Sequence, residues 1–361
     1  MENLGLVMAI NVKFWRNKKV MVTGHTGFKG SWLALWLESL GSNVLGYSKL
    51  PPTKINHYSL VDLENTSQSV IADIRELDKL KQVIKDYKPE IVFHLAAQSL
   101  VRPSYFDPIE TYSTNVLGTI NLFEAIRATD HTKVIVNITS DKCYENKEWL
   151  WGYRENEPMG GADPYSSSKA CAELVTRCYQ QSYFTETSQI SLASARAGNV
   201  IGGGDWAEER LVPDMIRAFI SKQPVAIRSP HSVRPWQHVL DPLAGYLQLA
   251  QALYEDKHRF VGGWNFGPDA DSAKPVSYLV EKVVSLWGEQ ASWEIQADKK
   301  NLKEANFLRL DCSKAKAELG WYAKWDLNIA LTKTIEWYKA YYLGQTMRKH
   351  SLRQINEYMN K

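Results

Sequence analysis

The chain has 361 residues, 44% of them hydrophobic and 23% charged, which is enough to bury a large core and long for one domain. Lys plus Arg (43) nearly balance Asp plus Glu (40), so the formal charge of +3 excludes the strongly basic surface of a nucleic-acid binder. No stretch approaches the roughly 20 apolar residues of a membrane span. The four cysteines form no C-x-x-C pair and the eight histidines no H-x-x-x-H spacing, so neither a disulfide framework nor a metal site is expected. No charged-then-apolar leader pattern opens the chain, and a cytoplasmic protein is expected. The first ten residues are weakly patterned and are expected to fray.

Val20, Met21 and Val22 read as a short buried strand. Gly24, Gly27 and Gly30 follow at three-residue intervals, and Trp32, Leu33, Leu35, Trp36, Leu37 and Leu40 then fall at helical spacing. Strand, glycine turn, helix is the context of a dinucleotide-binding fingerprint, although the spacing is G-x-x-G-x-x-G. Gly24 suits the tight turn, Gly27 a close approach to a pyrophosphate, and Gly30 close helix–strand packing. Lys29, inside the loop, could also meet a phosphate. Further along, 44–47, 70–73, 91–95, 134–138 and 190–195 read as strands, and 76–87, 108–127 and 165–183 as helices. Strands alternating with helices imply βαβ units, a doubly wound parallel sheet of the Rossmann type, and ligand at the carboxyl ends of its strands. After Arg196 the pattern breaks into clustered glycines and prolines, with a helix at 241–253, an added strand at 264–266, and two or three short helices beyond Val276. A smaller, interrupted C-terminal domain is expected.

The fifth strand runs into Thr139-Ser140-Asp141-Lys142, and Tyr165-Ser-Ser-Ser-Lys169 opens the helix that follows. Tyr-x-x-x-Lys places both side chains on one face, one turn apart. A cation beside a phenol lowers its pKa, so Tyr165 is a candidate base.

Residues 23–30, the run His94-Leu95-Ala96-Ala97-Gln98, Ser140 and the Tyr165/Lys169 pair resemble the extended short-chain dehydrogenase/reductases, which are nucleotide-sugar enzymes. The runs SDKCYENKEWLWGYRENEPMGGADPYSSSKACAEL, RAGNVIGGGDW and RPWQHVLDPLAGYL resemble the 4,6-dehydratases acting on a CDP-sugar. The resemblance implies NAD held by Gly24, Thr26, Gly27, Phe28, Lys29, Gly30, Asp73, Ala96, Ala97, Tyr165 and Lys169, with Asp73 meeting adenine. It implies Ser140 on the sugar's 4-oxygen, Tyr165 as base, Asp141 as acid toward the C6 oxygen, and Asn199 and Arg234 on the diphosphate. The implied reaction is C4 oxidation, elimination of water across C5–C6 and hydride return to C6. A 4-epimerase of the same superfamily is the alternative; it needs no acid at position 141. Two departures stand out. Lys142 replaces the glutamate that usually follows the aspartate, so it is a C5 base, a charged stabiliser of the enolate, or part of a structural ion pair. Ser48 and Lys49 replace the acid that usually holds the adenosine ribose, which leaves NADP open.

The resemblance also divides the chain into an NAD-binding domain (1–196 plus 236–266) and a nucleotide-sugar-binding domain (197–235 plus 267–361). It implies a homodimer or higher homo-oligomer through the helices 108–127 and 164–183. Leu117, Ile120, Leu122 and Phe123 on one, and Cys171, Leu174, Val175 and Cys178 on the other, are the candidate contacts. The implied setting is a supply step for deoxysugars of a bacterial surface polysaccharide such as O-antigen.

Overall fold

Short runs rich in β-branched and small residues become the strands of one sheet: β1 (Lys19–Thr23), β2 (Asn43–Ser48), β3 (Gln68–Ile71), β4 (Ile91–His94), β5 (Val134–Ile138), β6 (Ser191–Ala197) and β7 (Gly262–Phe266). The computed structural model describes residues 9–257, 259–288, 291–296 and 307–361, so most of the N-terminal segment expected to fray lies outside them. The strand order is β7-β6-β5-β4-β1-β2-β3, with every pairing parallel. Strands β4, β5 and β6 are buried along their whole length, because helices cover both faces. The chain leaves β1 for β2 and β3, then crosses back to place β4 on the other side of β1. This reversal opens a crevice beyond the carboxyl ends of β1 and β4. Thr23 and His94 pair across it, with Oγ1 and Nδ1 2.7 Å apart.

Helix α1 (Phe28–Ser39) is buried on nearly every side. One face packs on the sheet, and the C-terminal helix Met347–Asn360 covers another: Trp36 Nε1 donates to Met359 Sδ, and Arg348 pairs with Glu38. Helices α2 (Leu77–Tyr87), α3 (Gly118–Arg127), α4 (Pro164–Ser182) and α5 (Leu240–Glu255) complete the layers. The helix expected over 108–127 is interrupted. A π-helical turn, Ser113–Leu117, lies between Pro108–Tyr112 and α3. It turns Asn115 inward, where its amide donates to Ser168 and its carbonyl accepts from the Gln98 amide. Inserted π turns often mark functional sites, and Thr114 lines the cavity described below.

Among the described residues outside the sheet, two two-stranded ladders tie 200–238 to later chain and a third lies within it. Val233–Pro235 pairs antiparallel with Ala273–Pro275, Val225–Ile227 parallel with Trp293–Ile295, and Val200–Ile201 with Gln237–His238. Among the described residues the tail carries four helices, Val276–Trp287, Ser313–Leu319, Leu327–Tyr342 and Met347–Asn360, more and longer than the sequence suggests. Among the described residues no helix is long and apolar enough to cross a membrane.

Candidate active site

Every residue named above for the cofactor, the chemistry and the diphosphate lines one cavity of about 970 Å³ beyond the carboxyl ends of the strands. The glycine loop forms one wall. Gly24 adopts φ +75°, and a Cβ there would lie 2.7 Å from the Ala96 amide nitrogen, so only glycine lets this turn pass under the Ala96–Ala97 turn. A Cβ on Gly30 would lie 2.1 Å from the Gly24 carbonyl oxygen. Helix α1 starts at Gly27 with no side-chain cap. Its first amides and its dipole thus face the cavity and suit a diphosphate. This uncapped, glycine-turned cradle fits a dinucleotide.

The Thr26 hydroxyl binds Ser48 Oγ and the Lys49 carbonyl, both at 2.9 Å, and so ties the loop to the end of β2. Phe28 borders Gly202 across the cavity. At the far end, Asp73 is bound by Arg75 through both carboxylate oxygens, which holds its carboxyl down at about 2. Lys49 lies 3.6 Å from Asp73 and 3.1 Å from Glu110, and Arg75 also reaches Glu110. Two cations thus meet two carboxylates in this cluster.

The reaction centre forms where β5 ends and α4 begins. Asp163 caps α4, accepting the Ser166 amide at 2.9 Å, and Pro164 takes the first helical position. That start turns Tyr165 and Lys169 toward Ser140. Ser140 Oγ donates to Asp141 Oδ1 at 3.0 Å and accepts the Lys142 amide at 3.2 Å. Asp141 is buried, and burial pushes its carboxyl upward against the nearby charges of Lys142, Arg234 and Lys29. The lowering of Tyr165 expected from Lys169 is not what the structure shows. Burial pushes the phenol up to about 12, and the groups opposing that are the Ser140 hydrogen bond and the Arg210 charge. Lys169 instead donates to the Ile138 carbonyl at 3.2 Å, and burial pushes it down to about 8. Lys142 makes no ion pair within 4 Å among the described residues, and its charge is the strongest one acting on the buried Asp141.

Lys29 is also pushed down to about 8, by burial and by Lys169 and Arg210. Its charge interacts with the reaction centre rather than with the adenosine end. On the opposite wall, Arg234 lies in the 233–235 ladder strand, and Asn199 follows β6 with its carbonyl accepting the Gln237 amide.

Comparison with known proteins gives the same arrangement a lineage. The family model for GDP-mannose 4,6-dehydratase matches residues 21–334. The chain belongs to the GDP-mannose 4,6-dehydratase family. Within this 4,6-dehydratase family, the chain is 53% identical over 355 residues to the CDP-glucose 4,6-dehydratase of Salmonella typhimurium, covering 97% of this chain and 99% of that one. It is 26% identical to a dTDP-glucose 4,6-dehydratase of Haemophilus influenzae, over 88% and 97% of the two chains. Among solved structures, an epimerase from Methanothermobacter thermautotrophicus superposes with TM-score 0.80 at 21% identity, over 94% and 96% of the chains. A dTDP-glucose 4,6-dehydratase from Bacillus anthracis, in complex with NAD, gives 0.74 at 22%, over 92% and 99%. At such identities the two structures speak for the fold alone.

Three residues of this family member escape sequence reasoning. Arg210, at the start of helix Leu211–Ile220, reaches Asp205 at 2.9 Å and Ser99 at 3.1 Å and lines the cavity. Glu173 and Arg196 pair beneath the centre. No local spacing announces either arrangement. Only the Tyr165–Lys169–Glu173 face of α4, at helical intervals, carried a readable signal for Glu173.

Proposed function

We propose that the chain is an NAD-dependent CDP-glucose 4,6-dehydratase, converting CDP-D-glucose to CDP-4-keto-6-deoxy-D-glucose. The observation that carries the reading is a buried Asp141, held toward its protonated form, hydrogen-bonded to Ser140 in the cavity that Tyr165 and the glycine loop also line. The 53% identity to the Salmonella enzyme supports the CDP-sugar.

The loop from Gly24 to Gly30, Asp73, Ala96, Ala97, Tyr165 and Lys169 would hold NAD, which supplies a hydride acceptor for C4 and a hydride donor for C6. Ser140 donates a hydrogen bond to the sugar's 4-oxygen. Tyr165 removes the 4-hydroxyl proton, and the Ser140 contact and the Arg210 charge favour the phenolate this requires. The C4 ketone acidifies the C5 proton. Lys142 takes that proton, or stays charged and stabilises the enolate while an ionised Asp141, the nearest other group, takes it and passes it to the departing C6 oxygen. Where Lys142 is the base, a protonated Asp141 gives its proton to the departing C6 oxygen, and burial raises its carboxyl in that direction. Asn199 and Arg234 hold the diphosphate, the guanidinium fork matching phosphate oxygens. Residues 1–196 plus 236–266 then serve NAD, and 197–235 plus 267–361 the sugar nucleotide.

Incubation with NAD and CDP-, UDP-, dTDP- or GDP-glucose tests this. CDP-glucose should lose one water. An unchanged mass with an inverted C4 would make the chain an epimerase.

We further infer a cytoplasmic homo-oligomer that supplies deoxysugars for a bacterial surface polysaccharide such as O-antigen; the resemblance is the support for that setting. For assembly, Phe106, Ile109, Leu117 and Leu174 are exposed apolar side chains on or beside the two expected helices. Leu122 and Phe123 are fully buried in this protomer's own core, so they are not free for a partner.

A further inference from the structure

A buried polar cluster under the reaction centre takes no part in the chemistry above. Glu173 sits one turn beyond Lys169 on α4. One of its oxygens accepts the Thr139 hydroxyl, and the other accepts Ser194 Oγ and Arg196 Nη2, each at 2.7 Å. Arg196 Nη1 donates to the Tyr144 hydroxyl at 2.6 Å and to the Glu155 carbonyl at 3.0 Å. Tyr144 donates onward to Asn265 on β7 at 2.7 Å. Both charged side chains are about 5% exposed or less. The strand above leaves room for the guanidinium only because residue 263 is glycine; a Cβ there would lie 2.4 Å from Nη2. A buried ion pair is weak evidence for stability, since desolvation offsets most of the attraction and an apolar pair of similar volume often does as well. Its position is the informative feature. Thr139 precedes Ser140, and Tyr144 comes two residues after Lys142, so the pair grips both ends of the catalytic segment.

We propose that Glu173 and Arg196 are positioning residues for the dehydration: Glu173 fixes Thr139 and sets its charge against Lys169, while Arg196 anchors the segment that leaves Lys142. The inference rests on the assignment of Lys169 to cofactor binding and turnover. Lys169 faces Tyr165 and Glu173 on its own helix, His94 from β4, Cys143 beyond β5, and Lys29 from α1. Burial keeps His94 neutral, down at about 3, and raises the Cys143 thiol so that it too is neutral. Lys29 is a like charge. Glu173 is the carboxylate that opposes the effect of burial on Lys169. Removing it lowers the lysine's proton affinity, so Lys169 loses its charge at lower pH.

The test compares wild type with Thr139→Val, Glu173→Gln and the double variant Glu173→Gln/Arg196→Gln. NADH affinity, read by nicotinamide fluorescence, and kcat on CDP-glucose are each followed against pH. Glu173→Gln should move the alkaline decline of both quantities down by about one pH unit or more. The double variant leaves no unpaired buried charge and should shift in the same direction, which keeps the test alive where the single variant does not fold. Thr139→Val removes the hydrogen bond but no charge; it should lower kcat on the order of tenfold with the alkaline decline unmoved. An unchanged alkaline decline in both Glu173 variants would show that the pair only fills the core. Wild-type kcat in Thr139→Val would overturn the positioning role. Should wild type dehydrate no CDP-glucose, the proposed function fails while the NADH measurement still decides this inference.

Discussion

Replacing Lys142 by Met keeps most of the side-chain length and removes the ammonium. Lys142 stands on the one-turn helix Asp141–Cys143 and, after burial, its charge is the largest influence on Asp141. Losing that charge moves the Asp141 carboxyl further up, toward the protonated form that serves the C6 step. Any defect therefore reports on C5. If Lys142 takes the C5 proton, its loss should slow water elimination by about 10²–10⁴-fold, the usual contribution of a positioned base. That is about 2.7–5.4 kcal/mol of barrier. C4 oxidation needs only Ser140, Tyr165 and Lys169 and should persist. Rapid mixing with CDP-glucose should then show enzyme-bound NADH that builds up and decays slowly, and solvent deuterium should not enter C5. Exchange at C5 that continues at a reduced rate would assign Lys142 to enolate stabilisation, with an ionised Asp141 as the nearest proton acceptor. Elimination at the wild-type rate would refute both roles.

Tyr165→Phe should cut turnover by about 10²–10⁴-fold while NADH binding changes by no more than about twofold; near-normal turnover would remove Tyr165 as the base. Gly30→Ala puts a methyl 2.1 Å from a backbone oxygen, so the loop must open. It should weaken NADH binding and cost about 1–3 kcal/mol of stability, and a wild-type melting temperature with unchanged affinity would contradict the packing described. Asp241 is fully buried at the start of α5, and burial raises its carboxyl to about 7 although the Tyr358 hydroxyl and the Lys324 amide both bind Oδ1. The folded chain thus holds this proton more tightly than the unfolded chain. The stability it contributes is complete below about pH 4 and is lost as the pH rises through about 7, by an upper limit of about 4 kcal/mol. Asp241→Asn should therefore melt above wild type at about pH 8, with the gap closing toward about pH 5; parallel melting curves over that range would be incompatible with a raised Asp241.

Val20–Val22, the three glycines and the tryptophan-rich helix behind them were legible because strand period, turn chemistry and helix period are local. The parallel sheet followed from alternation alone, and its strands were placed to within a few residues. Other features depend on residues far apart in sequence. Arg75 on Glu110, Arg210 on Ser99, and Arg196 between Glu173 and Tyr144 are pairings that no spacing encodes. The ladders around 200–238 were missed because each strand is two or three residues long and buries too little to show a period. The π turn at Ser113–Leu117 was hidden inside a run that scans as one helix, because one wider turn scarcely disturbs a 3.6-residue pattern. Tyr165 and Lys169 were found by spacing, yet the ionisation expected of them was not, because a Tyr-x-x-x-Lys pattern says nothing of burial.

That last gap bears on what separates this site from a plain 4-oxidation site. Lys29, Lys142, Lys169, Arg210 and Arg234 all line the cavity. In the field of so many cations a solvated aspartate would ionise readily. Asp141 is instead raised by burial, which outweighs the cations around it. Two diphosphates bound in the same cavity would offset much of the positive charge and weaken the pull that favours its carboxylate. A loaded site thus favours the protonated Asp141 more than an empty one does. A 4-epimerase gains nothing from such an arrangement, since no oxygen leaves C6 in its reaction. The buried, cation-ringed carboxyl beside Ser140 is the feature that suits the proposed elimination of water.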